Sequence, residues 1–154
     1  MIVGLSDLDF KLLLGKAGHP EVTVTNGPSA VNVRLKVGPI PVSLSISLAA
    51  CNRALPPLTA ALKRNPAAMA LYTIAQKTPR PGAVEINIIS AKAAGLGFFG
   101  MIRSKVEQTI SSMLADYGLV SRNDKGNVVF QTSHFDVLGI TSTPVKLMVS
   151  LVLP

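Results

Sequence analysis

Two neighbouring stretches of the chain alternate strictly between apolar and polar residues, and this alternation constrains the fold more than any other feature. Residues 31–37 (VNVRLKV) and 42–48 (VSLSISL) carry an apolar side chain at every second position. The Gly-Pro-Ile-Pro sequence at 38–41 separates the two stretches and is typical of a turn. Two alternating strands joined by a short turn predict an antiparallel hairpin with one buried and one solvated face.

Helical periodicity marks two further segments. Ser6 followed by Asp9 predicts a helix N-terminus, because a serine and an acid three residues later can form a capping box. Between residues 99 and 117 apolar side chains recur at intervals of three and four, which predicts a long amphipathic helix ending before Gly118. Three further strands are expected, at about 84–90, 127–137 and 145–153.

The segment 52–82 breaks this pattern, because prolines interrupt it repeatedly. Asn65 followed by Pro66 predicts the start of a short helix, since asparagine is a favourable N-cap and proline suits the first helical position. Apolar and basic residues lie side by side here. The segment is therefore either a surface element suited to a membrane interface or a pair of helices closing one end of a sheet.

These elements predict an α+β fold in a single domain spanning residues 1–154. We expect a curved antiparallel β-sheet wrapped around one long amphipathic helix, with short additional helices. Charged residues make up only 15% of the chain, against about 25% in an average domain. The mean hydropathy of +0.43 therefore indicates either an unusually apolar interior or an exposed apolar surface with a purpose.

The net charge of +7 is concentrated in one part of the chain. Between Glu21 and Glu85 there are seven basic residues and no acid. Such asymmetry indicates either an anionic partner, such as a phospholipid headgroup or a nucleic acid, or a solvated basic face that aids solubility. Five of these residues are candidates for contact with anionic headgroups or with an anionic surface: Arg53, Lys63, Arg64, Lys77 and Arg80.

The sequence Gly95-Leu-Gly-Phe-Phe-Gly100 matches the G-x-G-x-x-G pattern of dinucleotide-binding loops. The context argues against a nucleotide site, because Ala-Lys-Ala-Ala separates the pattern from the preceding strand and no acid ends the next strand at the required distance. His19 and His134 lie far apart with no ligand-spaced cysteine or carboxylate cluster, and Cys51 is the single cysteine. We therefore expect no enzymatic activity, no cofactor and no metal.

The order of the elements resembles that of tubular lipid-binding (TULIP-like) domains. The resemblance rests on the helix in SDLDFKLLL, the alternating hairpin, the stretch VEINIISAKAAGLGFFGMIRSKVEQTISSML and the closing strands. The small bacterial LmeA-like lipid binders likewise begin with an acidic helix before the first strands. The proline-broken segment 52–82 departs from the family pattern.

The resemblance implies non-enzymatic binding or transfer of a phospholipid or other acyl ligand in an apolar groove between sheet and long helix. The residues implied to line that groove are Phe98, Phe99, Ile102, Val106, Ile110 and Met113. Ordinary core packing is the alternative for the same stripe. Two other functions stay open: a protein interaction or assembly module using the same apolar face, including a homo-oligomer, and, less favoured, a basic nucleic-acid-binding protein.

The compartment is not determined by the sequence. No uninterrupted apolar run approaches the roughly 20 residues that span a bilayer. The N-terminal sequence MIVGLSDLDF lacks a basic region and reaches an acid by Asp7, so it is not expected to act as a signal peptide. Peripheral association with an anionic membrane is the form of membrane contact that fits this pattern.

Overall fold

The computed structural model of the protein describes residues 1–55, 58–78, 80–93 and 99–153, with side chains from residue 102 onward in the last range. The described helices are α1 (Asp7–Lys16), α2 (Ala60–Lys63), α3 (Pro66–Lys77) and α4 (Phe99–Leu114). The described strands are β1 (Ile2–Leu5), β2 (Thr23–Asn26), β3 (Val31–Val37), β4 (Ile40–Asn52), β5 (Pro81–Ala93), β6 (Leu119–Arg122), β7 (Val128–Gln131), β8 (Asp136–Ser142) and β9 (Leu147–Val152).

The strands form two antiparallel sheets. The larger has six strands in the order β2-β3-β4-β5-β7-β6, and the smaller has three in the order β1-β9-β8. The two sheets approach each other where β8 lies against β4 and β5. Buried side chains from both sheets belong to one apolar cluster, so the described chain has a common core.

The predicted fold, a curved sheet wrapped around one long helix, is wrong. Strands dominate the structure, they divide between two sheets, and the described helices are four short ones. The longest of them, α4, lies on one face of the six-stranded sheet beside β3, β5, β6 and β7. The error arose because the apolar final strand was assigned to the same sheet, whereas β9 pairs with β1 and β8 instead.

The predicted hairpin is confirmed. Strands β3 and β4 pair antiparallel from Val31 opposite Ile46 to Val37 opposite Ile40. Their apolar residues face the core and their polar residues face solvent, as the alternation requires. The turn between them has Gly38 at a φ of 63°, a conformation that glycine adopts without strain.

The helix caps also agree with the sequence. The Ser6 hydroxyl accepts a hydrogen bond from the Asp9 backbone N–H, and the Asp9 carboxylate accepts one from the Ser6 backbone N–H, which completes the capping box of α1. Asn65 caps α3, and Pro66 occupies its first position. Both caps satisfy backbone groups that the first turn of a helix leaves unpaired.

The pairing of β1 with β9 has no local signature in the sequence. Ile2 lies opposite Ser150 and Leu5 opposite Leu147, so the two ends of the described chain form adjacent strands. The Met1 carbonyl accepts a hydrogen bond of 2.8 Å from the Leu151 backbone N–H, and the Met1 amino group donates one of 3.0 Å to the Leu151 carbonyl. A four-residue strand is too short to show a clear period, which is why β1 was not predicted.

Candidate functional site

The apolar stripe predicted to line a lipid groove packs largely inside the protein. Val106 is fully buried, and Ile102, Ile110 and Met113 are partly buried against the same core cluster. These four side chains therefore fill the space between α4 and the six-stranded sheet. Phe98 and the side chain of Phe99 lie outside the described residues. The acyl-contact role of the stripe remains a prediction.

A buried carboxylate lies on α4, and it was not identified from the sequence. Glu107 is only 6% exposed. Arg103, one turn earlier, donates from Nε to Glu107 Oε1 at 2.9 Å, and the Arg122 guanidinium donates to Oε2. Arg103 also donates to Asn127 Oδ1 at 3.2 Å. Two arginines thus neutralise and orient the buried carboxylate, and they tie α4 to the β6–β7 hairpin.

Two of the five predicted headgroup-contacting cations converge on a single acid. Arg53 donates to Asp136 Oδ1 at 2.8 Å, and Arg80 donates to Asp136 Oδ2 at 2.9 Å. Arg53 also donates to the Thr132 carbonyl at 2.7 Å. These contacts join the end of β4 and the start of β5 to β8. Arg53 is therefore engaged inside the fold, while Arg80 keeps most of its surface exposed.

A glycine makes room for this cluster. At the β-bulge between β4 and β5, Gly82 has a φ of 156° and is buried. A Cβ atom there would lie 2.7 Å from Asp136 Oδ1 and 2.9 Å from Arg53 Cδ. The Arg53–Asp136 ion pair therefore crosses directly over the backbone of Gly82.

The other three predicted cations belong to helices α2 and α3, with two just before the start of α3 and one at its end. Lys63 ends α2, Arg64 lies in the connection, and Lys77 ends α3; all three are exposed. Within the part of the chain that the structure describes, none of the three forms an ion pair within 4 Å. Their charges are therefore available to an external anion.

Helices α2 and α3 pack against each other and bury no residue completely. One side of α3 carries the partly buried side chains Ala68, Met69 and Tyr72. The opposite side carries exposed apolar residues at positions i, i+3, i+4 and i+7, which share one helix face. This α3 stripe consists of Ala67, Ala70, Leu71 and Ile74.

The α3 stripe is strongly exposed. Leu71 is 69% exposed and Ile74 is 61% exposed. A helix that leaves large apolar side chains in water is typical of a surface that meets an apolar partner. Lys77 lies one turn beyond Ile74, so the stripe ends at a positive charge. The sequence located the cationic amphipathic segment but not which face of α3 is exposed.

Asp136 and Cys51 carry side chains that can serve in catalysis, but their surroundings do not favour it. The Asp136 carboxylate, near His134 in sequence, is taken up by two arginines. Cys51 is partly buried, and burial together with the nearby Glu85 carboxylate raises the pKa of its thiol, which disfavours the reactive thiolate. No group of three or more metal-ligating side chains occurs among the described residues.

The structure describes only part of the Gly95–Gly100 pattern. Residues 95–98 lie outside the described residues, and α4 begins at Phe99. Strand β5 continues to Ala93, so the Ala-Lys-Ala stretch expected to separate strand from loop belongs largely to the strand. Its Lys92 is exposed on the sheet, which gives this stretch a place in the fold without a nucleotide.

Within the described part of the chain, no helix combines the length and the apolar character needed to cross a bilayer. The likeness to tubular lipid-binding domains stays a resemblance of element order. No protein-family model, curated protein or solved structure matches this chain.

Proposed function

We propose that this protein binds phospholipid without catalysing a reaction, and that it meets an anionic membrane through the α3 stripe. The observation that carries the proposal is the position of Leu71 and Ile74, which are exposed on one face of α3 close to cations that have no acidic partner in the described chain.

The apolar part of this surface fits the interfacial region of a bilayer. Amphipathic helices lie in the membrane plane with their apolar face at the boundary between headgroups and acyl chains. Burying a leucine or isoleucine side chain contributes about 1.5–3 kcal/mol. Because Leu71 and Ile74 are roughly two-thirds exposed, their insertion would contribute about 3 kcal/mol together.

The charged part of the surface selects for anionic lipid. A lysine or arginine near an anionic leaflet contributes about 1 kcal/mol, and Lys63, Arg64 and Lys77 supply three such charges. The two contributions together reach about 6 kcal/mol, which corresponds to reversible association rather than permanent insertion. A binding free energy of this size suits a lipid-binding protein that associates with a membrane and dissociates from it again.

Lipid explains this surface better than nucleic acid does. Single-stranded nucleic acids are bound on aromatic platforms between basic residues, whereas the α3 stripe consists of alanine, leucine and isoleucine. The one aromatic residue of α3, Tyr72, is partly buried on the other side of the helix. A protein partner or a second copy of the chain would use the same stripe, and the experiment below separates these outcomes.

The test is co-sedimentation with phosphatidylcholine vesicles, with and without phosphatidylserine. We expect binding that requires phosphatidylserine and falls with rising salt. The double variant Leu71→Ser/Ile74→Ser should lose at least tenfold in partitioning. Val145→Ser is the matched control, because Val145 is 71% exposed in the β8–β9 turn, away from α3. It should bind as the wild type does.

The charge contribution is tested separately. Lys63→Gln and Lys77→Gln should each lower partitioning about fivefold, the equivalent of 1 kcal/mol, while Lys125→Gln should not. Equal binding of all variants, or no binding to either vesicle, would overturn the proposal. Self-association in light scattering that Leu71→Ser/Ile74→Ser abolishes, without vesicle binding, would instead establish an assembly module.

A further inference from the structure

A second cationic surface lies on the solvent side of the six-stranded sheet, away from α2 and α3. The register places Thr23 of β2 opposite Arg34 of β3, Arg34 opposite Ser43 of β4, and Ser43 opposite Lys92 of β5. All four side chains are exposed. They form one row across four strands, which we call the Arg34–Lys92 row.

A β-bulge brings Lys92 into this row. Ser45 pairs with Ser90 and Ile46 pairs with Ile88, so Ile89 is an extra residue in β5 and is exposed. If Ile89 took a regular place in the ladder, Lys92 would pair with Val42, whose side chain faces the core. Bulges re-aim side chains in this way and are frequent at binding sites.

The row has the geometry of a small anion site. Adjacent strands are about 4.8 Å apart, so Arg34 and Lys92 flank Ser43 at a separation that their long side chains can close. An arginine fork pairs with two oxygens of a phosphate, while a lysine contributes a mobile point charge. The Ser43 hydroxyl can supply a further hydrogen bond between the two cations, and the Thr23 hydroxyl lies beyond Arg34 at the end of the row.

A groove of about 430 Å³ covers this part of the sheet. Arg34, Lys36, Ser43 and Lys92 line it, and Glu21 is the one acid among the lining residues that the structure describes. Glu21 Oε1 lies 3.6 Å from His19 Nδ1. Three cations against one carboxylate leave the groove with an excess of two positive charges. In the described chain none of the three cations forms an ion pair.

We propose that the Arg34–Lys92 row binds a phosphate group, carried either by a lipid headgroup or by a small soluble molecule. The two positive charges of the groove match a phosphate monoester dianion, and the row offers charged donors on both sides of the Ser43 hydroxyl. This site does not depend on the membrane contact proposed for α3, because the two surfaces share no residue.

The test is an NMR titration of the ¹⁵N-labelled protein with inorganic phosphate against sodium chloride of equal ionic strength. We expect saturable shifts at Arg34, Ser43 and Lys92 with phosphate and none with chloride. Arg34→Gln and Lys92→Gln should each weaken binding about tenfold, as loss of one charge-assisted hydrogen bond does. The matched control is Lys105→Gln, an exposed lysine on α4, which should leave the affinity unchanged.

Vesicles containing phosphatidic acid identify the carrier of the phosphate. Saturable shifts with inorganic phosphate, without vesicle binding that depends on Arg34 and Lys92, support the site as a receptor for a soluble phosphate. Vesicle binding that Arg34→Gln and Lys92→Gln weaken, in the Leu71→Ser/Ile74→Ser background, supports it as a headgroup site. The proposal would be overturned if Lys105→Gln lost as much phosphate affinity as Arg34→Gln and Lys92→Gln. It would also be overturned if neither phosphate nor vesicles gave a response larger than that to chloride. Phosphate shifts that persist in Leu71→Ser/Ile74→Ser separate this site from the α3 stripe.

Discussion

Arg53 and Asp136 form an ion pair of 2.8 Å that joins two distant parts of the chain. The pair connects the residue after β4 to the first residue of β8, and a second bond from Arg53 reaches the Thr132 carbonyl at 2.7 Å. Both partners are mostly buried. It is therefore one of the contacts that hold the three-stranded sheet against the six-stranded sheet.

Removal of Arg53 should destabilise the protein. In Arg53→Ala the partly buried Asp136 carboxylate keeps only the exposed Arg80 as a partner, and we expect a loss of about 2 kcal/mol in the free energy of unfolding. Urea denaturation followed by circular dichroism measures it. Arg80→Ala is the control and should cost less than about 1 kcal/mol, because Arg80 is 72% exposed. Equal losses in the two variants would contradict the assignment.

A side chain at Gly82 should destabilise the protein. Gly82→Ala places a Cβ within 3 Å of Asp136 Oδ1 and Arg53 Cδ, and it forces a non-glycine residue to a φ of 156°. We expect a loss of about 1–3 kcal/mol in unfolding free energy. Gly15→Ala in α1 should be neutral or stabilising, since its Cβ would meet nothing within 4 Å.

A double variant tests whether Gly82 and Arg53 act together. Once Arg53 is shortened to alanine, part of the clash at position 82 disappears. Arg53→Ala/Gly82→Ala should therefore lose less stability than the two single variants combined. If the stability loss of the double variant equals the sum of the two single losses, the strain at Gly82 comes from its backbone conformation alone.

Glu107 should be needed for the attachment of α4. Glu107→Ala removes the carboxylate that accepts hydrogen bonds from Arg103 and Arg122, so both guanidinium groups lose their ion-pair partner. Because both arginines are partly exposed and can regain water, we expect a loss of about 2 kcal/mol, below the range for a fully buried pair. Thermal or urea unfolding measures it. Lys105→Ala on the same helix is the control and should change stability by under 0.5 kcal/mol, roughly the range of ordinary surface substitutions.

The capping box of α1 should be sensitive to acid. The Asp9 carboxylate accepts hydrogen bonds from the Ser6 backbone N–H and the Ser6 hydroxyl, and these hold the pKa of Asp9 below its ordinary value. A pKa lowered in the folded state stabilises the protein above the unfolded-state pKa, and that stabilisation is lost as pH falls through the folded pKa.

The measurement compares the wild type with Asp9→Asn across a pH series. The stability difference should be constant at neutral pH and should shrink only on acidification below the ordinary aspartate pKa of about 4. Gly15→Ala in the same helix changes no titratable group and is the control, so its difference from the wild type should not vary in this way. A difference that changes above pH 6 would indicate that another group is responsible.

Local patterns predicted the local structure and missed the long-range pairings. The β3–β4 hairpin, α1, the Asn65 cap and α4 all follow from periodicity or capping within a few residues. The segment predicted as one strand at 127–137 is instead β7 and the start of β8, in different sheets. Nothing within a strand of four residues specifies which distant strand it pairs with.

The same limit applies to the site. Lys63, Arg64 and Lys77 stood out in the sequence because no acid lies near them in the chain. The partner of Arg53 lies 83 residues away, so no local pattern could show that its charge is already paired. The Arg34–Lys92 row needed the bulge at Ile89, which shifts the register by one residue and is not visible in composition or spacing.

The pairing of β1 with β9 also sets an order for folding during synthesis. The hydrogen-bonded residues Met1 and Leu151 are 150 positions apart, so β1 emerges from the ribosome long before its partner exists. Closing so large a loop costs conformational entropy, and only the contacts of the completed sheet offset that cost. Until β9 has been made, β1 lacks its partner strand. Unpaired strands of this kind can associate with other chains during folding, and chaperones limit such association.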